Sequence, residues 1–212
     1  MVWNRIRYTF WAPWYDALVA AADFGRARQR SIQGLGLQPG AQVLLVGAGT
    51  GLDLEYLPRD VTVTAVDITP AMLERCRRRA KQLGIAVDAQ VMDARQLTFD
   101  DDAFDAVVFH LVLAVMPEPE RGLREAERVL KPGGRVAVFD KFLGDEERAP
   151  LVRCLGNLVT KALFSSDLNR RFGPLVRRTA LAVTRDEPIA FGGLFRVVTL
   201  KKAARRTPHA DG

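Results

Sequence analysis

Between Gln42 and Asp140 the chain alternates short apolar runs with amphipathic stretches. Residues 43–46 (Val-Leu-Leu-Val) form a β-rich run that stops at a cluster of glycines, and residues 52–57 start a helix behind it. Residues 61–66 predict a second strand ending at Asp67. Thr69-Pro70 then has the chemistry of an N-cap and first turn, and Met72, Leu73, Cys76 and Ala80 make a stripe at helical spacing. Gly84 closes that helix, because glycine takes the left-handed C-cap conformation without a steric penalty. Residues 85–91 and 104–109 predict strands three and four. From Pro117 to Leu130 the apolar positions Leu123, Ala126, Val129 and Leu130 share one helix face. Pro132-Gly133-Gly134 is a turn, and residues 135–139 are a fifth strand. Repeated strand–helix units of this length predict a doubly wound, mostly parallel α/β sheet.

The flanks extend this pattern. Residues 1–38 read as mainly helical, and residues 145–180 as one or two helices interrupted near Ser165-Ser166. Residues 181–183 and 195–200 predict two further strands, seven in all. A chain of 212 residues suits one domain. Its expected parts are an N-terminal helical cap (1–38), a ligand-binding core (40–140), a helical substrate cap (145–180) and closing strands (181–202).

Charge changes the picture at the ends. The total is +6, but residues 1–30 carry +3, residues 31–150 carry −5 and residues 151–212 carry +8. Basic ends around an acidic middle suit an anionic partner, or are simply solvated faces. Trp3, Trp11 and Trp14 all lie in the first 14 residues beside Tyr8, Phe10, Arg5 and Arg7, a mixture suited to a bilayer interface. The rival reading has these rings walling an apolar acceptor pocket. No run of about 18 apolar residues occurs, and no secretory pattern opens the chain. The expectation is a cytoplasmic protein with weak, salt-sensitive contact with anionic membrane. Cys76 and Cys154 form no CxxC pair, and His110 and His209 are far apart, so no metal is expected.

The chemistry concentrates at Val-Gly-Ala-Gly-Thr-Gly (46–51), where a strand runs into closely spaced glycines. Such a turn lets backbone approach a ligand at the carboxyl end of the sheet. Leu52 stands where a dinucleotide fingerprint wants its third glycine, and no P-loop lysine follows Gly51, so pyrophosphate and triphosphate ligands are disfavoured. Asp67 lies 20 residues after Gly47 at the next strand end, where a carboxylate accepts hydrogen bonds from both hydroxyls of a ribose. Asp67 also reads as a helix-capping residue, although Thr69 is better placed for that.

These segments resemble class I S-adenosylmethionine (SAM)-dependent methyltransferases. The resemblance runs in order through residues 46–51, Ala-Val-Asp-Ile-Thr-Pro-Ala-Met-Leu (65–73), Met-Asp-Ala (92–94), Phe-Asp-Ala-Val-Val (104–108) and Val-Leu-Lys-Pro-Gly-Gly (129–134). It implies SAM as cofactor. The implied contacts are Gly47, Ala48, Gly49, Thr50 and Gly51 at the glycine loop, Asp67 at the ribose, Ile68 beside it packing on the adenine, and Met72. Asp93 and Ala94 would face adenine, and His110 the methionine moiety. Asp93 also reads as a plain loop aspartate.

A second resemblance concerns the acceptor. Tyr8-Thr-Phe-Trp-Ala-Pro-Trp-Tyr-Asp16 and Gly192-Gly-Leu-Phe-Arg-Val-Val-Thr-Leu-Lys-Lys202 look like the ends of bacterial phospholipid N-methyltransferases, and the first also resembles quinone C-methyltransferases. It implies that Tyr8 and Tyr15 close over SAM, where either is otherwise a core tyrosine. Val-Phe-Asp-Lys-Phe (138–142) departs from those enzymes, which more often carry an Asn-His pair there. No base-flipping signature follows the fourth strand, so no nucleic-acid substrate is expected. An amine acceptor must lose a proton, and His110, Asp140 and Tyr15 are candidates for a base or orienting group. His110 reads equally as a pocket-shaping strand-end residue. Lys141, Arg170 and Arg171 are candidates for pairing with an acceptor phosphate, or are solvated surface. Three functions stay open: a methyltransferase for a lipid-like amine, a C-, O- or S-methyltransferase for an apolar small molecule, and a SAM-binding protein without turnover.

Overall fold

The computed structural model describes residues 24–143, 169–190 and 193–204. Tyr8, Tyr15, the three tryptophans and most of the expected helical segment 145–180 lie outside the described residues. The described elements begin with α1 (Gly25–Gln33) and β1 (Gln42–Val46), followed by a 3₁₀ helix at Leu52–Tyr56. Then come β2 (Thr62–Asp67), α2 (Pro70–Leu83), β3 (Val87–Val91), β4 (Phe104–His110), α3 (Pro119–Val129) and β5 (Leu130–Lys141). A short α4 (Gly173–Val176), β6 (Leu181–Ala190) and β7 (Phe195–Lys202) complete the order.

The sheet has seven strands in the order β3-β2-β1-β4-β5-β7-β6. Strands β1 to β5 pair in parallel, and β7 inserts antiparallel between β5 and β6. The order reverses between β1 and β4, so the carboxyl ends of these two strands flank the switch point where ligands bind in open α/β sheets.

The continuous apolar runs follow from burial on both faces. Leu44, Val46, Val107, Phe109, Val136 and Val138 pack on one face with Leu123, Ala126 and Val129 of α3. Val43, Leu45, Val63, Ala65, Ala106 and Val108 point to the other face, with Ile32 of α1 and Cys76 and Ala80 of α2. Successive residues of one strand thus serve opposite layers, as the period of two requires. Phe24 and Ala27 form a third cluster with Phe139 and Val197, seating α1 over β5 and β7.

Several elements differ from the sequence expectation. The turn of helix after Gly51 is 3₁₀ and ends at Tyr56, before the extended Leu57. Pro132-Gly133-Gly134 lies inside β5, where the pairing with β4 jumps from Phe104↔Leu130 to Ala106↔Arg135. The Pro-Gly-Gly segment is therefore a bulge in a strand, which glycine's freedom allows. Helix α3 starts at Pro119 because Glu118 before it is left-handed, with φ 50°. Strand β6 runs to Ala190, well past the expected 183; its outer residues are polar and exposed because it is an edge strand, so it lacks the apolar run that marks a central strand.

Phe109 is fully buried at the centre of the sheet, whereas Val183 on the edge is 48% exposed. Phe109→Ala is expected to destabilise the fold by about 3–5 kcal/mol through lost burial and a cavity. Val183→Ala is expected to change stability by no more than about 0.5 kcal/mol. Urea unfolding of the two variants compares them directly.

Candidate active site

The loop after β1 is shaped by three glycines with positive φ: Gly47 at 63°, Gly49 at 54° and Gly51 at 80°. A Cβ on Gly47 would lie 2.4 Å from Cγ2 of Val112, and one on Gly51 would lie 2.8 Å from Sγ of Cys76. These two glycines let the loop press against the segment after β4 and against α2. Gly49 faces open space, with nothing nearer its Cβ position than the Gly47 carbonyl at 4.0 Å. The loop is tied down by Ala48 N–H to the Val66 carbonyl (3.0 Å) and Gly51 N–H to the Ala48 carbonyl (2.9 Å).

Asp67 ends β2 beside this loop. Its Oδ2 accepts the Gly49 N–H at 2.9 Å and its Oδ1 accepts the Thr69 N–H at 2.8 Å. Burial raises the carboxyl pKa, opposed by these backbone donors and by the Thr69 hydroxyl. Thr69 occupies the N-cap position of α2 without capping it, since its side chain serves Asp67. A carboxylate has about four lone-pair directions, and the N–H groups of Gly49, Thr69 and Ile68 with the Thr69 hydroxyl already draw on them, so a ribose hydroxyl bound here would share these oxygens with the protein's own donors. Ile68 is half-buried and Met72 buried alongside. The arrangement fits the nucleoside half of SAM: open space over Gly49, a carboxylate at the adjoining strand end and an apolar neighbour.

At the end of β3, Asp93 is gripped by Arg95. Oδ1 accepts from the Arg95 backbone N–H (2.9 Å) and Nε (3.0 Å), and Oδ2 from Nη2 (2.7 Å). These bonds lower the Asp93 pKa, so the carboxylate is ionised. Arg95 also reaches Glu118 at 2.9 Å, joining the β3 end to the start of α3. Met92 N–H bonds the Asp67 carbonyl at 3.1 Å, which sets Asp93 and Ala94 next to the Asp67 strand end.

The ends of β4 and β5 hold the two candidate bases, and both are committed to protein partners. His110 Nδ1 lies 2.6 Å from Asp53 Oδ1, and Nε2 lies 2.9 Å from the Ser31 hydroxyl. Arg28 Nη1 lies 2.5 Å from the same Asp53 oxygen. Asp140 is fully buried and accepts the N–H groups of Ala114 (2.9 Å) and Lys141 (2.8 Å), with its pKa raised by burial. Arg170 Nη1 donates to the carbonyls of Leu113 and Met116, so this guanidinium braces the same segment after β4 as Asp140. Arg171 pairs through its backbone with Leu143, near Lys141 at the end of β5. Arg28, Ser31 and Asp53 were not singled out in the sequence. Asp53 alone left a trace there, as an acidic residue set among leucines just after the glycine loop.

A methyltransferase domain family matches residues 44–138. The chain is 35% identical over 171 residues to a phosphatidylethanolamine N-methyltransferase of Cereibacter sphaeroides, covering 77% of this chain and 81% of that one. The chain belongs to the class I SAM-dependent methyltransferases. It is also 39% identical over 132 residues to a demethylmenaquinone methyltransferase of Clavibacter sepedonicus, spanning about half of that protein (60% of this chain, 51% of that one). The fold resembles that of a geranyl diphosphate C-methyltransferase from Streptomyces coelicolor A3(2) solved with S-adenosyl-L-homocysteine (TM-score 0.72, 16% identity, 84% of this chain and 76% of that one). A SAM-dependent methyltransferase from Methanosarcina mazei has the same fold (TM-score 0.66, 20% identity, 82% and 97% covered).

The methyltransferase uses SAM, and the glycine loop with Asp67 is its candidate site. Among the described residues no His, Cys, Asp and Glu cluster is placed to hold a metal. A shallow groove of about 490 Å³ lies at the opposite, amino ends of the strands, lined by residues such as Ala41, Asp105 and Arg135.

Asp67→Ala is expected to weaken SAM binding by roughly tenfold or more, since a hydrogen bond to a charged group contributes about 1.5–3 kcal/mol and 1.4 kcal/mol is tenfold. With Asp67 as the ribose carboxylate, the diol would donate to its ionised form. Affinity should therefore be full above the raised Asp67 pKa and fall as pH drops through it, beginning above the 3.8 of an ordinary aspartate. Calorimetric titration with SAM across pH measures both effects, and an unchanged Asp67→Ala affinity would remove Asp67 from the site.

Proposed function

We propose that this SAM-dependent methyltransferase methylates the amine of a lipid-like acceptor of the phosphatidylethanolamine type. The observation that carries the reading is the similarity to the Cereibacter sphaeroides enzyme over four-fifths of that protein, against about half of the quinone enzyme. The closing strand β7, part of the phospholipid-enzyme resemblance, pairs with β5 beside Asp140 and Lys141 and so helps to build the acceptor side.

SAM supplies a sulfonium-activated methyl group. The protein's work is alignment and exclusion of water, since in-line displacement rewards orientation above all. In this reading the 47–51 loop, with Ala48 and Thr50 between its glycines, approaches the methionine and ribose; Asp67 accepts the ribose hydroxyls; and Asp93, Ala94, Ile68 and Met72 surround the adenine. His110 and Asp140 hold the segment after β4 in place and do not take the acceptor's proton, because their polar atoms are bonded within the protein. An amine sheds its proton to solvent before it docks, so no buried base is required. Lys141 and Arg171, near the end of β5, are the cations proposed to face an acceptor phosphate, while Arg170 braces the segment after β4.

Transfer from methyl-labelled SAM to vesicles containing phosphatidylethanolamine, to a demethylated quinol and to a thiol tests the acceptor. Label is expected in the lipid, with a rate that rises with pH as the amine deprotonates. Label in the quinol or thiol instead supports the small-molecule alternative, and SAM binding with no transfer to any acceptor supports a non-catalytic role.

The basic carboxyl third, net +8, and the aromatic, basic N-terminal segment support weak peripheral attraction to anionic membrane. Each basic group near such a surface contributes only about 1 kcal/mol, and salt screens it. The protein is expected to co-sediment with anionic vesicles at low salt, to be released by added salt and to ignore neutral vesicles. Protein left in the supernatant with anionic vesicles at low salt would argue for a soluble acceptor.

A further inference from the structure

The Arg28–Asp53–His110–Ser31 network is the largest buried polar feature among the described residues that no contact with the cofactor or acceptor accounts for. The four residues are 5%, 5%, 5% and 0% exposed. Arg28 and Ser31 stand one turn apart on the same face of α1, Asp53 lies in the 3₁₀ helix directly after Gly51, and His110 is the last residue of β4. Three segments far apart in sequence therefore meet under the glycine loop.

A buried ion pair is poorly explained by stability alone. Removing two charges from water costs several kcal/mol per ion, and well-packed apolar side chains are often as stable. The paired charges here do hold Asp53 ionised: burial alone would raise its pKa, but Arg28 and His110 keep it well below the usual carboxylate range. The proton arrangement then follows from chemistry. An ionised Asp53 accepts the Nδ1–H of His110, which leaves Nε2 as a lone-pair acceptor for the Ser31 hydroxyl.

The network bears on the glycine loop from both ends. Asp53 follows Gly51 by two residues, so it anchors the exit of the loop. His110 precedes Leu111, which has φ 58°, unusual for a leucine, and whose N–H bonds the Phe139 carbonyl at 2.7 Å. The next residue, Val112, packs its Cγ2 into the space left by the missing side chain of Gly47. A shift of His110 would therefore move Val112 against the entrance of the loop.

We propose that Asp53 is a positioning residue for the cofactor site, held by Arg28 and acting through His110 and the two ends of the glycine loop. The proposal rests on the reading of the 47–51 loop and Asp67 as the SAM site. It assigns Asp53 no contact with substrate.

The test measures SAM affinity by calorimetry and thermal stability for Asp53→Ala, Ser31→Ala and Arg28→Lys, with Asp67→Ala and Lys202→Met as references. Lys202 bonds Asp102 and the carbonyls of Glu127 and Leu130, away from the loop. Lys202→Met is expected to lower the melting temperature without moving SAM affinity. Asp53→Ala is expected to raise the SAM Kd about tenfold, within the coupling range of residues in one network. Ser31→Ala and Arg28→Lys are milder changes, expected to raise it about threefold, and carry the test if Asp53→Ala does not fold. The chain has only two histidines, so ring ¹⁵N spectra can assign His110, expected as the Nδ1–H tautomer. Folded variants with lower melting temperatures but unchanged SAM Kd would make the network merely structural and overturn the proposal, as would an Nε2–H tautomer in the wild type. Failure of the site reading looks different: Asp67→Ala would then leave SAM affinity unchanged.

Discussion

The Asp67 carboxylate bonds the Gly49 N–H at 2.9 Å and the Thr69 N–H at 2.8 Å, and the ligand side of the sheet is organised around those two bonds. They join the loop after β1 to the turn after β2, two segments that parallel pairing alone leaves unconnected beyond the strand ends. The loop donates this bond from a backbone that is left-handed at Gly47, Gly49 and Gly51. A side chain at Gly47 or Gly51 would collide with Val112 or Cys76. Tight packing on two sides and an open face at Gly49 make a rigid cradle whose exposed surface is backbone.

Several buried polar groups brace the segments beside that cradle. Asp140 takes the Ala114 N–H, and Arg170 takes the Leu113 and Met116 carbonyls, so the segment between β4 and α3 is held from β5 and from the chain before α4. Arg95 clamps Asp93 and reaches Glu118 at the other end of the same segment. Buried polar groups lose their hydration and must find partners inside the protein. Here those partners lie around the carboxyl ends of the strands. This suits a methyl transfer in which the cofactor supplies the electrophile and the protein supplies geometry.

In the proposed reading the sheet also separates cofactor from acceptor. Strands β1 to β3, on one side of the switch point, carry the glycine loop, Asp67 and Asp93. Strand β5, on the other side, carries Asp140 and Lys141, with β7 beside it, while His110 at the end of β4 reaches back toward the glycine loop. The cofactor half depends on close backbone approach and tolerates little change. The proposed acceptor half lies at the ends of strands, where loops can vary without disturbing the cradle. Family membership therefore fixes the cofactor more firmly than the acceptor.

Much of this was legible from the chain alone because it is local. Apolar runs, the stripe on α2, the Gly84 cap and the spacing from Gly47 to Asp67 lie within a few tens of residues, and they marked β1 to β4, α2 and the turn that brings Gly49 against Asp67. Strand β6 was only partly visible, because an exposed edge strand needs no apolar pattern, and the bulge in β5 was read as a turn because Pro-Gly-Gly has the composition of one. The roles of His110, Asp140 and Arg170 were decided by tertiary structure. The partners of His110 are 57 and 79 residues away, and those of Arg170 are 54 and 57 residues away. Sequence names a histidine, an aspartate or an arginine as able to react; only the packing of α1, the 3₁₀ helix and β5 around the end of β4 determines which of their polar atoms are already bonded, and so what each side chain is free to do.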